Sequence, residues 1–113
     1  MNRLRQESQF ILMNKQQLQR IDCMRDIEKV RRFFEGDRYA VEVTGVKIDE
    51  VDDCYSKCSL DLDKRHYGAH GQVMGGVMFT LADFAFAVAT NTSESFTATA
   101  DSHISYLTSS KGK

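Results

Sequence analysis

The longest apolar stretch of the chain runs from Val73 to Ala89, and it constrains the fold more than any other feature. Only Thr80 and Asp83 interrupt it with polar side chains. The stretch is shorter than the about 20 apolar residues that a membrane-spanning helix needs, and it contains an acid. It is long enough for a helix that is buried on most sides, so we expect the rest of the chain to pack around it.

Gly75 and Gly76 stand where this helix should begin. The first N–H groups of a helix have no partner within the helix, and here no side chain would shield them, which favours the binding of negative charge. Asp83 then lies in the apolar helix, where a lone carboxylate is costly unless it is paired, hydrogen-bonded or used. The alternative is a core helix in which Asp83 has no functional role and lies near a water-filled edge.

Length and charge exclude several classes of protein. A chain of 113 residues with a net charge of −1 allows one domain and gives no reason to expect nucleic acid or a membrane surface as a partner. The N-terminus lacks a signal-peptide pattern, and three cysteines do not suit a secreted disulfide scaffold. We therefore expect a cytoplasmic protein.

Residues 1 to about 35 are predicted to be helical, with a stop at Gly36. Residues 1–26 are interpreted as an N-terminal helical extension, either partly ordered or a coiled-coil seam, and residues 27–113 as the globular domain. The periodic apolar residues are Leu4, Ile11 and Leu18, spaced by seven, followed by Ile27, Val30 and Phe34.

The pattern changes to strand from Val41. Residues 46–51 and 54–62 are predicted to form a hairpin, because the second segment places Cys58, Leu60 and Leu62 on one face with period two.

The hairpin is followed by a predicted loop over residues 63–72, and the apolar helix by a predicted strand over residues 96–107. The few predicted strands cannot cover a helix that is this apolar. We therefore expect additional strands, either from beyond residue 113 or from a partner.

The segment from His66 to Ala87 reads His-Tyr-Gly-Ala-His-Gly-Gln-Val-Met-Gly-Gly-Val-Met-Phe-Thr-Leu-Ala-Asp-Phe-Ala-Phe-Ala. It resembles the signature of hot-dog-fold acyl-CoA thioesterases of the phenylacetyl-CoA type, in which a His-x-Asn-x-x-Gly loop leads into His-Gly-Gly and then Leu-x-Asp. Residues 99–112 resemble the family's next strand and exit loop. The resemblance implies an α+β hot-dog fold, a curved antiparallel β-sheet wrapped around a central buried α-helix.

The chain departs from the family pattern at three places. Gly68 stands where the family has the loop Asn, and Met74 stands where it has the His of His-Gly-Gly. Thr108-Ser109 replaces the family's Arg-Pro. The family domain also continues through further strands, so we expect this chain to be a copy that lacks the C-terminal strands.

The residues themselves suit thioester hydrolysis. N–H groups of Gly75 or Gly76 would stabilise an oxyanion, and Asp83 would act as general base or as nucleophile. Eight residues separate Gly75 from Asp83, which is roughly 12 Å along one helix, so a shared site needs two chains. The resemblance likewise implies a homodimer or homotetramer with the active site at the subunit interface, acting on acyl-CoA or aryl-CoA, and no cofactor is expected.

Three further residues are predicted to bind substrate. Met74 is expected to line an acyl pocket, and Gly68 lacks the amide that could hold water or the thioester. His66 could hydrogen-bond substrate, although a structural role in the loop is the alternative. The spacing of two cysteines and two histidines resembles that of a zinc site (Cys54, Cys58, His66 and His70). However, two cysteines four residues apart in one strand lie roughly 13 Å apart, so we predict no metal.

Other functions remain open at this stage. The departures at Gly68 and Met74 favour a non-catalytic acyl-CoA-binding protein as the first alternative. A hot-dog dehydratase is disfavoured, because the His and acid pair that it would need is not evident. An oligomerising scaffold built on the N-terminal helix is the third alternative.

Overall fold

The computed structural model of the chain describes residues 3–9, 26–91 and 96–110, and in the first of these ranges it describes the side chain of Leu4 alone. The structure is α+β, with an antiparallel sheet packed against one long helix. In chain order the elements are β1 (Arg3–Gln9), α1 (Ile27–Phe34), a π-helical turn (Tyr39–Thr44), β2 (Lys47–Asp52), β3 (Tyr55–Asp61), a 3-10 turn (Lys64–His66) and α2 (Gly75–Thr90).

Within the described ranges the sheet consists of three antiparallel strands in the order β1-β3-β2, so β3 is the central strand. β2 and β3 form the predicted hairpin, in which Asp52 lies opposite Tyr55 at the closed end. Cys54 in the turn has a φ of 50°, a left-handed conformation that is uncommon for a residue other than glycine. The hairpin prediction is therefore confirmed, with a strained residue at its turn.

One face of β3 points into the core. Cys58 and Leu60 are fully buried there, as the period-two pattern predicted. Ser56 is buried on the same strand, and its hydroxyl donates a hydrogen bond of 2.6 Å to the carbonyl oxygen of Ala85 in α2. This bond joins the central strand to the long helix and fixes their relative position.

The predicted helix is confirmed as α2, but it is buried along one face and not on most sides as predicted. Its Phe84 ring also meets the Phe34 ring of α1 edge to face, with the ring centroids 5.6 Å apart. Burial is uneven around α2, because Gly76 and Asp83 are exposed on the opposite side. The buried positions are Leu81, Phe84, Ala85, Val88 and Ala89.

The helical periodicity of residues 27–34 is confirmed by α1, which ends before Gly36 as predicted. The Asp26 carboxylate caps its first turn by accepting a hydrogen bond of 3.0 Å from the N–H of Glu28. The Arg31 guanidinium donates two hydrogen bonds, of 3.0 and 2.7 Å, to the carbonyl oxygen of Ile48 in β2. α1 is thereby attached to one edge of the sheet.

The helical prediction was wrong for residues 3–9, which form β1. β1 pairs with β3 along its whole length, beginning with Arg3 opposite Asp61. Without β1, the main-chain groups along that edge of β3 would lack hydrogen-bond partners beside an apolar helix. The gain from this sheet pairing outweighs the weak helical periodicity of the N-terminal residues. The remainder of the predicted helical extension, residues 10–25, lies outside the described residues.

The strand predicted from Val41 begins later, at Lys47. Residues 41–44 belong to the π-helical turn instead, because the backbone there satisfies its hydrogen bonds locally. The Val46 N–H donates to the carbonyl oxygen of Ala40 at 2.9 Å, and the Thr44 hydroxyl to that of Tyr39 at 2.9 Å. These local bonds engage main-chain groups that a strand would direct to a neighbouring strand.

The strand predicted over residues 96–107 was also wrong, since residues 96–110 are irregular. A strand needs a neighbour that takes up its main-chain hydrogen bonds, and within the described ranges no strand pairs with this segment. Phe96 and Leu107 are 88% and 94% exposed. The β-propensity of these residues is therefore insufficient to form a strand without a partner.

Among the described helices, none combines the length and the apolar character that crossing a membrane requires.

Candidate functional site

The N-terminus of α2 presents free main-chain donors. Val77 and Met78 are the first residues whose N–H groups bond back to the carbonyl oxygen of Met74, at 3.1 and 3.4 Å. The N–H groups of Gly75 and Gly76 have no acceptor among the described residues. The helix begins at Gly75, as the sequence predicted, and the helix dipole adds to the partial positive charge of these two donors.

Tyr106 lies directly against this helix start. Its hydroxyl donates a hydrogen bond of 2.8 Å to the carbonyl oxygen of Gly75. A Cβ atom on Gly75 would lie 2.9 Å from Cζ of the Tyr106 ring, closer than such atoms approach. Glycine at position 75 therefore makes room for Tyr106, whereas a Cβ on Gly76 would have no atom of the described residues within 4 Å apart from its chain neighbours and its own helix backbone.

Asp83 lies on the exposed face of α2, not in the core. Gly76, Thr80 and Asp83 recur at helical spacing along this face, and in the part of the chain that the structure describes the Asp83 carboxylate has no hydrogen-bond or ion-pair partner. Exposure avoids the desolvation cost of a buried carboxylate. The acid is thus available for chemistry with groups outside this chain.

Two cavities flank Asp83. One of about 190 Å³ lies between α2 and the irregular segment 99–104, and it is also lined by Asp101 and His103. The other, of about 340 Å³, lies between α2 and residues 37–40. His103 is exposed where it borders the first cavity. The Asp83 side chain therefore lies between two cavities on the surface of α2.

The two halves of the predicted site do not meet within one chain. Gly75 and Asp83 both belong to the continuous helix α2, so about 12 Å separates them along the axis at 1.5 Å per residue. The side chain of an aspartate spans much less than this distance. One chain thus places the unpartnered N–H groups of the helix start and the carboxylate of Asp83 at two separate positions.

Met74 and Gly68 lie together beside the helix start. Met74 is 50% exposed, and both residues line an open cavity of about 470 Å³ that Gly75 and Tyr106 also border. A Cβ on Gly68 would make ordinary contact with Cγ of Met74 at 3.6 Å, so the backbone does not require glycine there. The structure thus places Gly68 and Met74, two of the three predicted substrate-binding residues, in the wall of one open cavity.

His66 is 2% exposed, and both of its ring nitrogens are engaged within the chain. Nδ1 accepts a hydrogen bond of 3.0 Å from the N–H of Asp63, so the proton must be on Nε2, which donates at 2.7 Å to the carbonyl oxygen of Thr44. His66 thereby joins the loop after β3 to the π-helical turn. In this arrangement neither nitrogen faces a substrate, which agrees with the structural alternative.

The cysteines of the hairpin are not arranged for metal binding. Burial raises the pKa of the Cys58 thiol to about 12, and burial followed by the charge of Asp53 also raises the pKa of Cys54. A zinc ligand must be a thiolate, which these shifts disfavour. Among the described residues, no group of three or more His, Cys, Asp or Glu side chains could hold a metal ion.

Tyr106 is the site residue that sequence reasoning did not single out. Ser105, Tyr106 and Leu107 were interpreted only as part of a strand. The sequence signal that could have found it is the Gly-Gly pair, because a glycine at a helix start also indicates the close approach of another group.

Comparison with known proteins gives one distant likeness. A curated protein of Archaeoglobus fulgidus, named "Putative esterase", is 28% identical to this chain over 81 residues. The matched stretch covers 72% of this chain and 53% of that protein, so the chain spans about half the length of this curated relative. No protein-family model and no solved structure match the chain.

His66→Ala is expected to destabilise the chain by about 2–4 kcal/mol, because it leaves the part-buried Asp63 N–H and the buried Thr44 carbonyl without partners and opens a cavity. His70 is exposed, so His70→Ala should change the free energy of unfolding by less than about 0.5 kcal/mol. Urea unfolding measures both. Equal, small effects of the two substitutions would contradict the structural role of His66.

Cys58 is expected to resist thiol reagents until the chain unfolds. With a pKa of about 12 it is buried and protonated at pH 8, whereas Cys54 is partly exposed at the hairpin turn. Labelling at pH 8 followed by peptide mass spectrometry should therefore find Cys54 modified well before Cys58. Equal labelling rates in the folded chain would show that this face of β3 is not buried.

Proposed function

We propose that the chain is a hot-dog-fold hydrolase of acyl-CoA or aryl-CoA thioesters. The observation that carries the proposal is the presence, on one helix, of two N–H groups, at Gly75 and Gly76, and an exposed carboxylate, at Asp83, that have no partner among the described residues. Thioester hydrolysis needs a donor for the oxyanion and a base or nucleophile for the attack. The helix offers both.

Two further observations support the proposal at different levels. The likeness to the archaeal protein named as an esterase supports hydrolase activity at the coarsest level. The finer assignment, to thioesters and to the hot-dog fold, comes from the resemblance of residues 66–87 to the thioesterase signature. The α+β structure, in which an antiparallel sheet packs on a central helix, is compatible with that fold.

The hydrolysis can proceed by either of two routes. As a general base, Asp83 takes a proton from water, and the resulting hydroxide attacks the thioester carbonyl carbon. As a nucleophile, Asp83 attacks directly and forms an anhydride that water then hydrolyses. In both routes the carbonyl oxygen becomes negative and accepts hydrogen bonds from the helix start, the C–S bond breaks, and CoA leaves as a thiolate that takes up a proton.

The distance along α2 supports a site built from two copies of the chain. Gly76 and Asp83 lie on the same exposed face, with Thr80 near their midpoint. Two antiparallel α2 helices that face each other about a two-fold axis near Thr80 would place Asp83 of one copy beside Gly76 of the other. A homodimer, or a tetramer of two such dimers, would then hold two equivalent sites.

A non-catalytic acyl-CoA-binding protein is the second candidate. Met74 provides no proton carrier at the helix start, and Gly68 provides no amide in the loop, yet both line an open cavity. Such a protein would keep the cavity and bind the thioester without cleaving it. Hydrolysis by the unaltered chain distinguishes the two candidates.

Asp83→Asn is expected to lower kcat for acyl-CoA hydrolysis by roughly 10²–10⁴-fold, because it removes the charge of the base or nucleophile while keeping its shape. The carboxylate is exposed, so the thermal unfolding midpoint should change little. Release of free CoA, followed with a thiol reagent over a panel of acyl-CoA and aryl-CoA thioesters, measures the rate.

Asp52→Asn is the matched control, because this exposed acid lies at the closed end of the hairpin and away from the helix start. It should keep the rate within twofold. Hydrolysis by Asp83→Asn within threefold of the unaltered chain would remove Asp83 from the mechanism. Binding of the thioesters without any hydrolysis by the unaltered chain would favour the second candidate.

A further inference from the structure

The Tyr106 hydroxyl is hydrogen-bonded to the peptide unit that carries the Gly76 N–H, one of the two donors of the proposed site. It donates at 2.8 Å to the carbonyl oxygen of Gly75. That oxygen and the N–H of Gly76 belong to one peptide unit, which is planar because its C–N bond has partial double-bond character. A contact that holds the oxygen therefore also holds the direction of the Gly76 N–H.

The same bond makes the Gly76 N–H a stronger donor. A hydrogen bond to a carbonyl oxygen draws electron density through the amide, so chains of hydrogen bonds polarise one another. The Gly76 N–H has no acceptor among the described residues, so the polarised donor remains available. The effect is largest on an acceptor with full negative charge, which is an oxyanion rather than a neutral thioester carbonyl.

The shape of the helix start matches this role. The Tyr106 ring lies where a Cβ atom on Gly75 would come within 2.9 Å of it, so glycine at position 75 permits the contact. Gly76 has open space instead, because beyond its chain neighbours and its own helix backbone no atom in the described ranges lies within 4 Å of an ideal Cβ. Gly75 accommodates the tyrosine, and Gly76 leaves room for a ligand.

Tyr106 also borders the space from which a ligand would arrive. The open cavity of about 470 Å³ beside the helix start has Tyr106, Gly75 and Met74 in its walls. A carbonyl group held in this cavity would approach the first turn of α2 beside the tyrosine ring. The tyrosine acts through the peptide unit and makes no direct bond to the reacting atoms.

We propose that Tyr106 is a positioning residue that orients and polarises the Gly76 N–H as the principal oxyanion donor. The inference rests on the proposed thioester hydrolysis and deepens it, because it divides the Gly-Gly pair into two roles. Gly75 is the glycine that receives the tyrosine, and Gly76 is the glycine that binds the oxyanion.

Tyr106→Phe tests the proposal, because it keeps the ring against Gly75 and removes only the hydroxyl. We expect kcat to fall roughly tenfold, less than the 10²–10³-fold typical of losing an oxyanion donor outright, while KM stays within twofold. A residue that only supported the fold would not separate kcat from KM in this way. Thermal unfolding of the same sample verifies that the variant is folded.

A second measurement does not depend on activity. In the ¹H–¹⁵N spectrum, loss of the bond to the Gly75 oxygen should shift the amide signal of Gly76 in Tyr106→Phe. The matched control is Tyr55→Phe, which also removes an exposed tyrosine hydroxyl, one that lies 3.4 Å from the Glu50 carboxylate on the hairpin. The control should leave both kcat and the Gly76 amide signal unchanged.

The outcomes separate this inference from the proposed function. If the unaltered chain hydrolyses thioesters but Tyr106→Phe keeps kcat within twofold, the positioning role is overturned and the hydrolase stands. A KM effect without a kcat effect overturns it as well, since it would indicate simple substrate contact. If the unaltered chain hydrolyses no thioester, both proposals fail, and the Gly76 signal then reports only whether the hydrogen bond exists.

Discussion

The Ser56 hydroxyl meets the Ala85 carbonyl oxygen, at 2.6 Å, where β3 and α2 are buried against each other. In the same core, Leu60 of β3 and Phe84 of α2 are almost completely removed from water. Each such side chain contributes about 1.5–3 kcal/mol through burial, so this interface determines which side of α2 faces inward. Gly76 and Asp83 must then face outward, and the candidate site follows from that orientation.

The parts of the fold that could be predicted are those with strong local patterns. α2 was visible as a long apolar run, and β3 as a period-two strand joined to β2 by a short turn. β1 could not be predicted, because its strand form depends on pairing with residues 55–61, far along the chain. The segment 96–107 was predicted to be a strand but is irregular, because its β-forming residues have no neighbouring strand within the described ranges.

The candidate site was predictable to the same extent. Gly75, Gly76 and Asp83 could be named because their spacing on one helix follows from the sequence. Tyr106 could not, because it reaches the helix start from 31 residues away in the chain. The structure also gives Gly75 a physical reason that the sequence could not provide, which is the space that the tyrosine ring occupies.

The shared site can be tested by mixing two inactive variants, Asp83→Ala and Gly76→Trp. The open space around Gly76 should let the tryptophan block the helix start without disturbing the fold. If one site uses Gly76 of one copy and Asp83 of the other, random subunit exchange should restore about a quarter of the original activity, because half of the dimers then carry one intact site of two. No recovery after subunit exchange verified by native mass spectrometry would contradict the two-chain site.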